Sequence, residues 1–409
     1  MEVKMDKANK YVSPKTAGLT PEDARALCVG CGACASIAGL QMAEDIHGFY
    51  RPPVEAVDDR CSRYCPVATL PTKYSENPWG ETVSSYLGWA TDDEVRSNAS
   101  SGGAITACLC YLLNRGLVDA VMQVGPDARD PLFSEVRFNR TVDEVKECSG
   151  SRYVSCPALS RVSEAVASGK RFAAVGKPCD IRALRILVDS DGRYAEAFPY
   201  LLSFFCAGLP SKNAARRLDE RLNPEGKKMV AFRYRGNGWP GYATESFEGG
   251  GEARMTYDNS WGKILGRDLE GYCRFCFDGL GEYADVSAGD AWYRLPNGKP
   301  DFSEHEGRNI VFGRTKKGDE LLQAMAGCGL LHLEDFDDWN YLRGIQARQF
   351  ERKATLATNL RVLRLTCHKT MTANLAELGR YSKALSLKER LLYAKGLLGR
   401  IVKGKISVP

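Results

Sequence analysis

Residues 171–188, "RFAAVGKPCDIRALRILV", read as a strand, a tight turn and a helix. A short apolar run ends at a glycine, a Pro-containing turn carries Cys179, and apolar residues then recur at helical spacing. The flanks repeat the alternation. "LVDAVMQVG" (117–125) and "FPYLLSFFCAG" (198–208) are strand signals, the second ending at Cys206. "TVDEVKECSG" (141–150) and "CPALSRVSEAVASG" (156–169) are helical, and "SNASSGGAITACLCYLLNRG" (97–116) is a Gly/Ser loop leading into an apolar helix. Strands alternating with helices predict α/β layers. "KKMVAFRYRGNGWPGY" (227–242) and "YATESFEG" (242–249) predict antiparallel strands about a Gly/Pro turn, and "RNIVFGRT" with "KKGDELLQAMAG" (308–327) a further strand and helix.

The chain has 409 residues, enough for two or three domains. We divide it into 1–88, 89–170, 171–338 and 339–409. The composition is that of an ordinary globular protein. No apolar run approaches the ~20 residues that span a bilayer, and "MEVKMDKANK" lacks the apolar core of a secretory signal. The expected location is the cytoplasm. Fifteen cysteines there point to metal or cluster ligation rather than disulfides. The four histidines are scattered, which argues against a His-rich zinc enzyme.

The cysteines form two sets. Cys28, Cys31 and Cys34 recur at x2 spacing, with Cys61 and Cys65-Pro66 downstream. Three close thiolates and a distant fourth followed by proline match a ferredoxin-type 4Fe–4S site, and Cys65 fits the fourth position better than Cys61. Zinc is the rival; its knuckles pair cysteines, so a third at the same spacing is surplus. In the second set, Cys273-x2-Cys276 needs partners. Cys179 and Cys206 stand at strand ends, where α/β sites are built, although each alone also suits a buried core position. Cys108, Cys110, Cys148, Cys156, Cys328 and Cys367 read as small apolar residues of helical segments. The loop Ser100-Ser101-Gly102-Gly103 opens a helix and can offer N–H groups to a phosphate, or form a plain N-cap.

Together "SSGGAITACLCYLL", "CSGSRYVSC", "AAVGKPCDIRALR", "FFCAG", "YRGNGWPG" and "CRFCFDGLGEYADVSAGDAW" resemble, in order, the beta-subunit family of coenzyme F420-reducing hydrogenases and dehydrogenases. The match runs from about residue 96 to 315, and the segment 28–66 resembles the longer members. The resemblance implies an α/β (α+β core) flavin-binding domain, a small N-terminal ferredoxin-like cluster domain and a helical basic C-terminal tail. It implies a flavin and iron–sulfur oxidoreductase with FAD and two 4Fe–4S clusters. FAD would lie against Ser100–Gly103 and Gly150, Ser151, Arg152 and Tyr153. Cys179, Cys206, Cys273 and Cys276 would hold the second cluster, and Asp285, Gly289 and Asp290 would shape the wall. The family usually has Thr at Lys177 and Lys at Arg152, so this chain's substrate recognition need not be identical. Lys177 can stabilise a reduced, anionic flavin, or be a solvated turn lysine.

Ferredoxin or a similar carrier is the expected donor to the N-terminal cluster, with electrons passing to the second cluster, to FAD, and as hydride to a small-molecule substrate or an F420-like cofactor. Some relatives suggest a setting in surface-polysaccharide synthesis. Arg233, Arg235, Asn237 and Trp239 can bind an anionic or planar substrate, or form only a turn with a packed Trp. No hydrolytic triad stands out. The alternative is a non-catalytic subunit that feeds electrons to another enzyme.

From Arg343 to Pro409 there are 15 Lys+Arg against 3 Asp+Glu. Leu387, Leu391, Ala394, Leu398 and Ile401 recur at helical spacing in this tail. Such a helix can be solvated, lie on an anionic inner membrane face, or dock an acidic partner. No motif for nucleic acid accompanies the charge.

Overall fold

A computed structural model describes residues 21–58, 61–366 and 373–403. The N-terminal segment holds two short helices, α1 (Pro21–Ala26) and α2 (Ala33–Ala38), and the hairpin β1 (Ala43–Glu44) and β2 (Tyr50–Arg51). Then follow β3 (Ser84–Ala90), α3 (Asp93–Asn98), α4 (Ala104–Asn114), β4 (Ala120–Pro126), β5 (Ser134–Asn139), α5 (Val142–Glu147) and α6 (Val162–Ala167). The stretch that suggested the fold becomes β6 (Phe172–Gly176) and α7 (Pro178–Ser190), followed by α8 (Gly192–Ala197) and β7 (Tyr200–Phe204). Cys179 lies not in a turn but in the first turn of α7, because Pro178 occupies the N1 position and starts the helix at once. The strand predicted to reach Cys206 ends at Phe204.

The remaining elements are α9 (Lys212–Leu222), β8 (Met229–Arg233), β9 (Tyr242–Phe247), β10 (Glu252–Thr256), β11 (Val286–Asp290), β12 (Asn309–Gly313), α10 (Lys316–Gly327) and β13 (Leu331–Asp335). The tail forms α11 (Trp339–Ile345), α12 (Ala347–Leu365), α13 (Leu375–Ser382) and α14 (Leu387–Val402). β8, β9 and β10 make an antiparallel sheet, as expected. Eight strands make the main sheet, in the order β13-β3-β12-β11-β7-β6-β4-β5. Its central strands β11, β7, β6 and β4 are parallel, so their carboxyl ends share one edge.

Successive residues of a strand face opposite sides of a sheet, and β6 shows it. Ala173 packs with α4 and α10 through Leu109, Leu112, Leu321 and Met325. Ala174 belongs to the other core, with Ile181 and Leu184 of α7, Val162 of α6 and Leu356 and Leu360 of α12. Burial on both faces explains why these strands read as apolar runs rather than alternating ones. Leu27, Val29, Val67 and Leu70 join that same core, which seats the N-terminal segment against α7 and α12.

The tail is built into the molecule. Lys353 of α12 is buried; its ammonium pairs with Glu282 at 2.6 Å and donates to the Pro78 carbonyl at 3.0 Å. On α14 the expected apolar row divides: Ala394 and Ile401 pack against the core, while Leu387, Leu391 and Leu398 are exposed. Among the described residues no helix is long and apolar enough to cross a membrane. The sequence expectations for Cys367 and for the first ten residues lie outside the described residues.

Candidate functional site

Three cavities adjoin one another in turn. The first is small and lined by Cys28, Cys31, Cys34, Cys61 and Cys65. Its backbone needs two glycines: Gly30 and Gly32 have φ of 68° and 88°, and a Cβ on Gly32 would meet Pro157 and Ser160 at 3.0–3.2 Å. The Gly30 amide donates to the Cys28 sulfur at 3.2 Å. Burial pushes the Cys28 thiol up to about 12. Cys65 goes the other way, down to about 6, because the Cys61 thiol and the backbone amides of Ala68 and Val67 donate to it. Cys61 is the donor and is correspondingly pushed up.

The second cavity is lined by Cys179, Cys206, Cys273 and Cys276, which come from the start of α7, the loop after β7 and residues 271–276. Leu209 donates its amide to Cys273 Sγ at 3.3 Å. Cys276 Sγ donates to the Asp278 carbonyl at 3.0 Å. Burial raises all four thiols. All the described cysteines are free, and no three Cys, His, Asp or Glu side chains among the described residues gather tightly around one ion position. The cysteines surround two cavities instead, and Val29 lines both. A set of buried thiols, stripped of water and with amides turned to their sulfurs, suits a positively charged iron–sulfur core that draws off their protons.

The third cavity, of ≈ 300 Å³, opens along the carboxyl edge of the parallel strands. It shares Lys177, Cys206, Gly208 and Leu209 with the second. Ser100, Ser101 and Gly103 line it at the start of α4, whose N-cap Gly103 offers no side-chain cap. Ser100 Oγ accepts from the Ser151 amide at 2.6 Å, which ties this loop to the 149–153 turn. Gly102 is not on the wall; a Cβ there would strike Asn309 Oδ1 at 2.7 Å. Gly150, Ser151 and Tyr153 line the cavity. Arg152 also borders it, but its guanidinium donates to Ser134 Oγ at 3.0 Å and to the carbonyls of Pro131, Phe133 and Phe232. Its charge straps β5 to β8 and is not left for a phosphate.

Lys177 is not a solvated turn lysine. It is half-buried, with 13% of its side chain exposed, and its ammonium reaches Asp180 Oδ2 at 2.7 Å. Burial works against its charge, but the Asp180 carboxylate outweighs this and raises it above the usual lysine range. Asp180 Oδ1 is buried without a partner at the cavity wall. At the opposite end, Arg235 forms a bidentate pair with Asp290 at 2.8 and 2.9 Å. Its guanidinium lies over the rings of Tyr257 and Trp292, 4.8 Å from each centroid, and the two rings are themselves 5.9 Å apart. Trp239 donates to Asp290 at 2.7 Å and stacks on Trp292 at 4.6 Å. The "GNGWPG" segment (236–241) is therefore a turn with a packed Trp, and Arg235, just before it, is the one of the four substrate candidates that lines the cavity. Arg233 instead donates to the Asn98 carbonyl.

Gly289 lines the wall because a Cβ would collide with the Phe205 ring. Asp285 does not. It immediately precedes β11, pairs with Arg185 at 3.0 Å and Lys317 at 3.3 Å, and accepts from the Leu201 amide. The five-residue strand runs from beside Asp285 to Asp290, and so places the two carboxylates at opposite edges of the sheet.

Sequence reasoning missed the tail's part in this site. Gln346, at the end of α11, donates to the Asp290 carbonyl at 2.8 Å. Gln349 and Arg352 of α12 donate to the Cys206 carbonyl at 3.1 and 3.0 Å. Gln346 and Gln349 line the large cavity and Arg352 the four-cysteine one. Tyr257, Trp261 and Trp292 were missed as its aromatic wall. Cys148 and Cys156 are buried as expected, but they also line the large cavity, and Cys328 is exposed.

The chain is similar to the coenzyme F420 hydrogenase subunit beta of Methanococcus voltae, 26% identical over 64% of this chain and 87% of that protein. It is similar to one of the subunits of the F(420)H(2) dehydrogenase of Methanosarcina mazei, 25% identical over 75% of this chain and 84% of that protein. Its fold matches a chain of the F420-reducing [NiFe] hydrogenase complex from Methanosarcina barkeri, with a TM-score of 0.54 and 21% identity over 71% of this chain and 94% of that one. Family models match in sequence: residues 85–163 fit the N-terminal part, and residues 169–338 the C-terminal part, of the coenzyme F420 hydrogenase/dehydrogenase beta subunit. The chain belongs to the coenzyme F420 hydrogenase/dehydrogenase beta-subunit family.

Proposed function

We propose that this chain is an oxidoreductase in which the two cysteine-lined cavities hold 4Fe–4S clusters and the large cavity holds FAD. The carrying observation is that the three cavities adjoin. Val29 is common to the first and second, and Cys206 and Lys177 to the second and third. When bound, the clusters would supply single electrons, and the flavin would gather two of them with a proton for transfer as a hydride.

The chain's own residues then have definite tasks. Cys28, Cys31, Cys34 and Cys65 ligate the first cluster, with Cys61 donating to the sulfurs beside it. Cys179, Cys206, Cys273 and Cys276 ligate the second. The start of α4, with Ser100, Ser101 and Gly103, takes the phosphates beside the Ala104 amide, which already donates to Asn309 Oδ1 at 3.2 Å. Lys177 places a half-buried cation where the flavin and the second cluster meet, and Asp180 Oδ1 awaits a donor. Arg235, held by Asp290, forms with Tyr257, Trp261 and Trp292 an aromatic end suited to a planar substrate. The relatives' names speak of coenzyme F420, so a deazaflavin-like hydride carrier is the first substrate to try. The same names describe subunits of larger assemblies, which favours a second reading, an electron-transfer component that feeds another enzyme.

Anaerobic mixing of the purified chain with reduced coenzyme F420 and with NADH, followed at the flavin absorbance, separates the two. Bleaching with no other protein added supports hydride chemistry in this chain. Bleaching by one-electron reductants alone supports the electron-transfer reading. A protein that binds no flavin contradicts both.

A further inference from the structure

The tail also lays a cationic surface over the four-cysteine cavity. Arg274 follows Cys273 directly in the short turn Gly271–Arg274. Arg348 and Arg352 stand one turn apart on α12, and Arg352 lines the cavity itself. Arg400 comes from α14, which packs against α12. Arg348 and Arg400 are exposed, and Arg274 and Arg352 half-buried. The four stand close enough to act on one another as like charges: Arg400 repels Arg274, and Arg352 and Arg274 repel Arg348. Glu351 offsets Arg348 only in part. Three elements thus hold like charges together at the outer wall of a redox-type site, at a cost that an incoming anionic surface would relieve.

We propose that the arginine face of Arg274, Arg348, Arg352 and Arg400 docks the acidic surface of a one-electron carrier protein over the four-cysteine cavity. The proposal rests on the reading of that cavity as a cluster site. The charges are spread over an outer surface drawn from separate elements, which fits a protein face better than a small anion in a cleft. Complementary charge speeds encounter and fixes orientation in small, short-lived electron-transfer interfaces. Each encounter passes one electron, lost by the carrier and gained by the four-cysteine site, with no bond made or broken. The point of entry is then the second cysteine set, and not the N-terminal set that the sequence suggested.

The test uses the anaerobically purified chain and an immobilised acidic two-cluster ferredoxin, in rising salt. We expect binding that weakens with salt, a loss of about tenfold or more for Arg348→Glu with Arg400→Glu, and a smaller loss for the milder Arg348→Gln with Arg400→Gln. Lys316→Glu, on the exposed face of α10, should bind as the unaltered chain does. Equal binding by the charge-reversed and unaltered chains, or no salt-dependent binding at all, overturns the proposal. Binding to phosphatidylglycerol vesicles through the same arginines, without ferredoxin binding, overturns it in favour of a lipid surface. Iron and sulfide analysis of the same samples keeps the two readings apart. Ferredoxin capture by a chain lacking the second site's iron would keep the dock and remove the cluster reading.

Discussion

Arg352 of α12 donates to the carbonyl oxygen of Cys206 at 3.0 Å, and so joins the C-terminal tail to the four-cysteine cavity. The family match ends at residue 338, yet this contact, with Gln349 beside it, helps to fix the loop that carries one of the four thiols. Arg352→Ala should leave the chain folded but loosen the Cys206 loop. The expected result is faster loss of iron to a chelator, with Arg352→Lys closer to the unaltered rate because it keeps a cation there.

Lys353 anchors the same helix. Removing one member of a buried ion pair leaves the other charge uncompensated, at a cost of about 3–5 kcal/mol. Lys353→Ala should therefore lower the denaturation midpoint sharply by stranding Glu282. Lys353→Met with Glu282→Gln should recover part of the loss.

Cys61 and Cys65 should behave differently. Cys65 accepts from Cys61 and from two backbone amides, as a ligand sulfur would. Cys65→Ala should lose about four iron atoms per chain. Cys61→Ala should keep them, with an altered cluster spectrum. Unchanged iron in Cys65→Ala would reverse the assignment.

Arg235→Ala leaves the half-buried Asp290 carboxylate with the Trp239 N–H but without its guanidinium, and opens space over the Tyr257 and Trp292 rings. Hydride transfer to or from the substrate should fall about tenfold or more, with flavin content retained if the substrate end alone is affected. Simultaneous loss of flavin would show that Arg235 belongs to the flavin's own seat.

A separate acid pair sets a pH dependence. Burial and the neighbouring Asp219 carboxylate raise Glu245 to about 7 from an ordinary 4.5. The folded state therefore holds a proton that the unfolded state releases, and stability falls as pH rises from about 4.5 through 7. Glu245→Gln should melt higher than the unaltered chain at pH 8, and the difference should shrink below pH 5. Parallel melting curves at all pH values would contradict this.

The legible parts of the sequence were those fixed by local spacing. The β6–α7 stretch announced itself through a short apolar run, a Gly-Lys-Pro turn and helical periodicity, and both cysteine sets stood out as x2 pairs. Where the chain returns from a distance, local pattern was silent. The periodicity of α12 shows that it has an apolar face. It does not say that this face meets α7 and the N-terminal segment, or that Arg352 then reaches Cys206. Asp285 and Asp290 looked alike in sequence, and only the direction of β11 separates a structural ion-pair hub from a cavity wall. Arg152 likewise looks like a phosphate ligand in sequence, but its guanidinium sits among carbonyl oxygens, partners that leave no trace in residue type.

If the three adjoining cavities hold the two clusters and the flavin of an electron path, anaerobic purification followed by iron, sulfide and flavin analysis shows it most directly. About eight iron atoms, a matching amount of sulfide and one FAD per chain are expected. Zinc in place of iron, with no flavin, would contradict that path and leave the nine cysteines as structural staples.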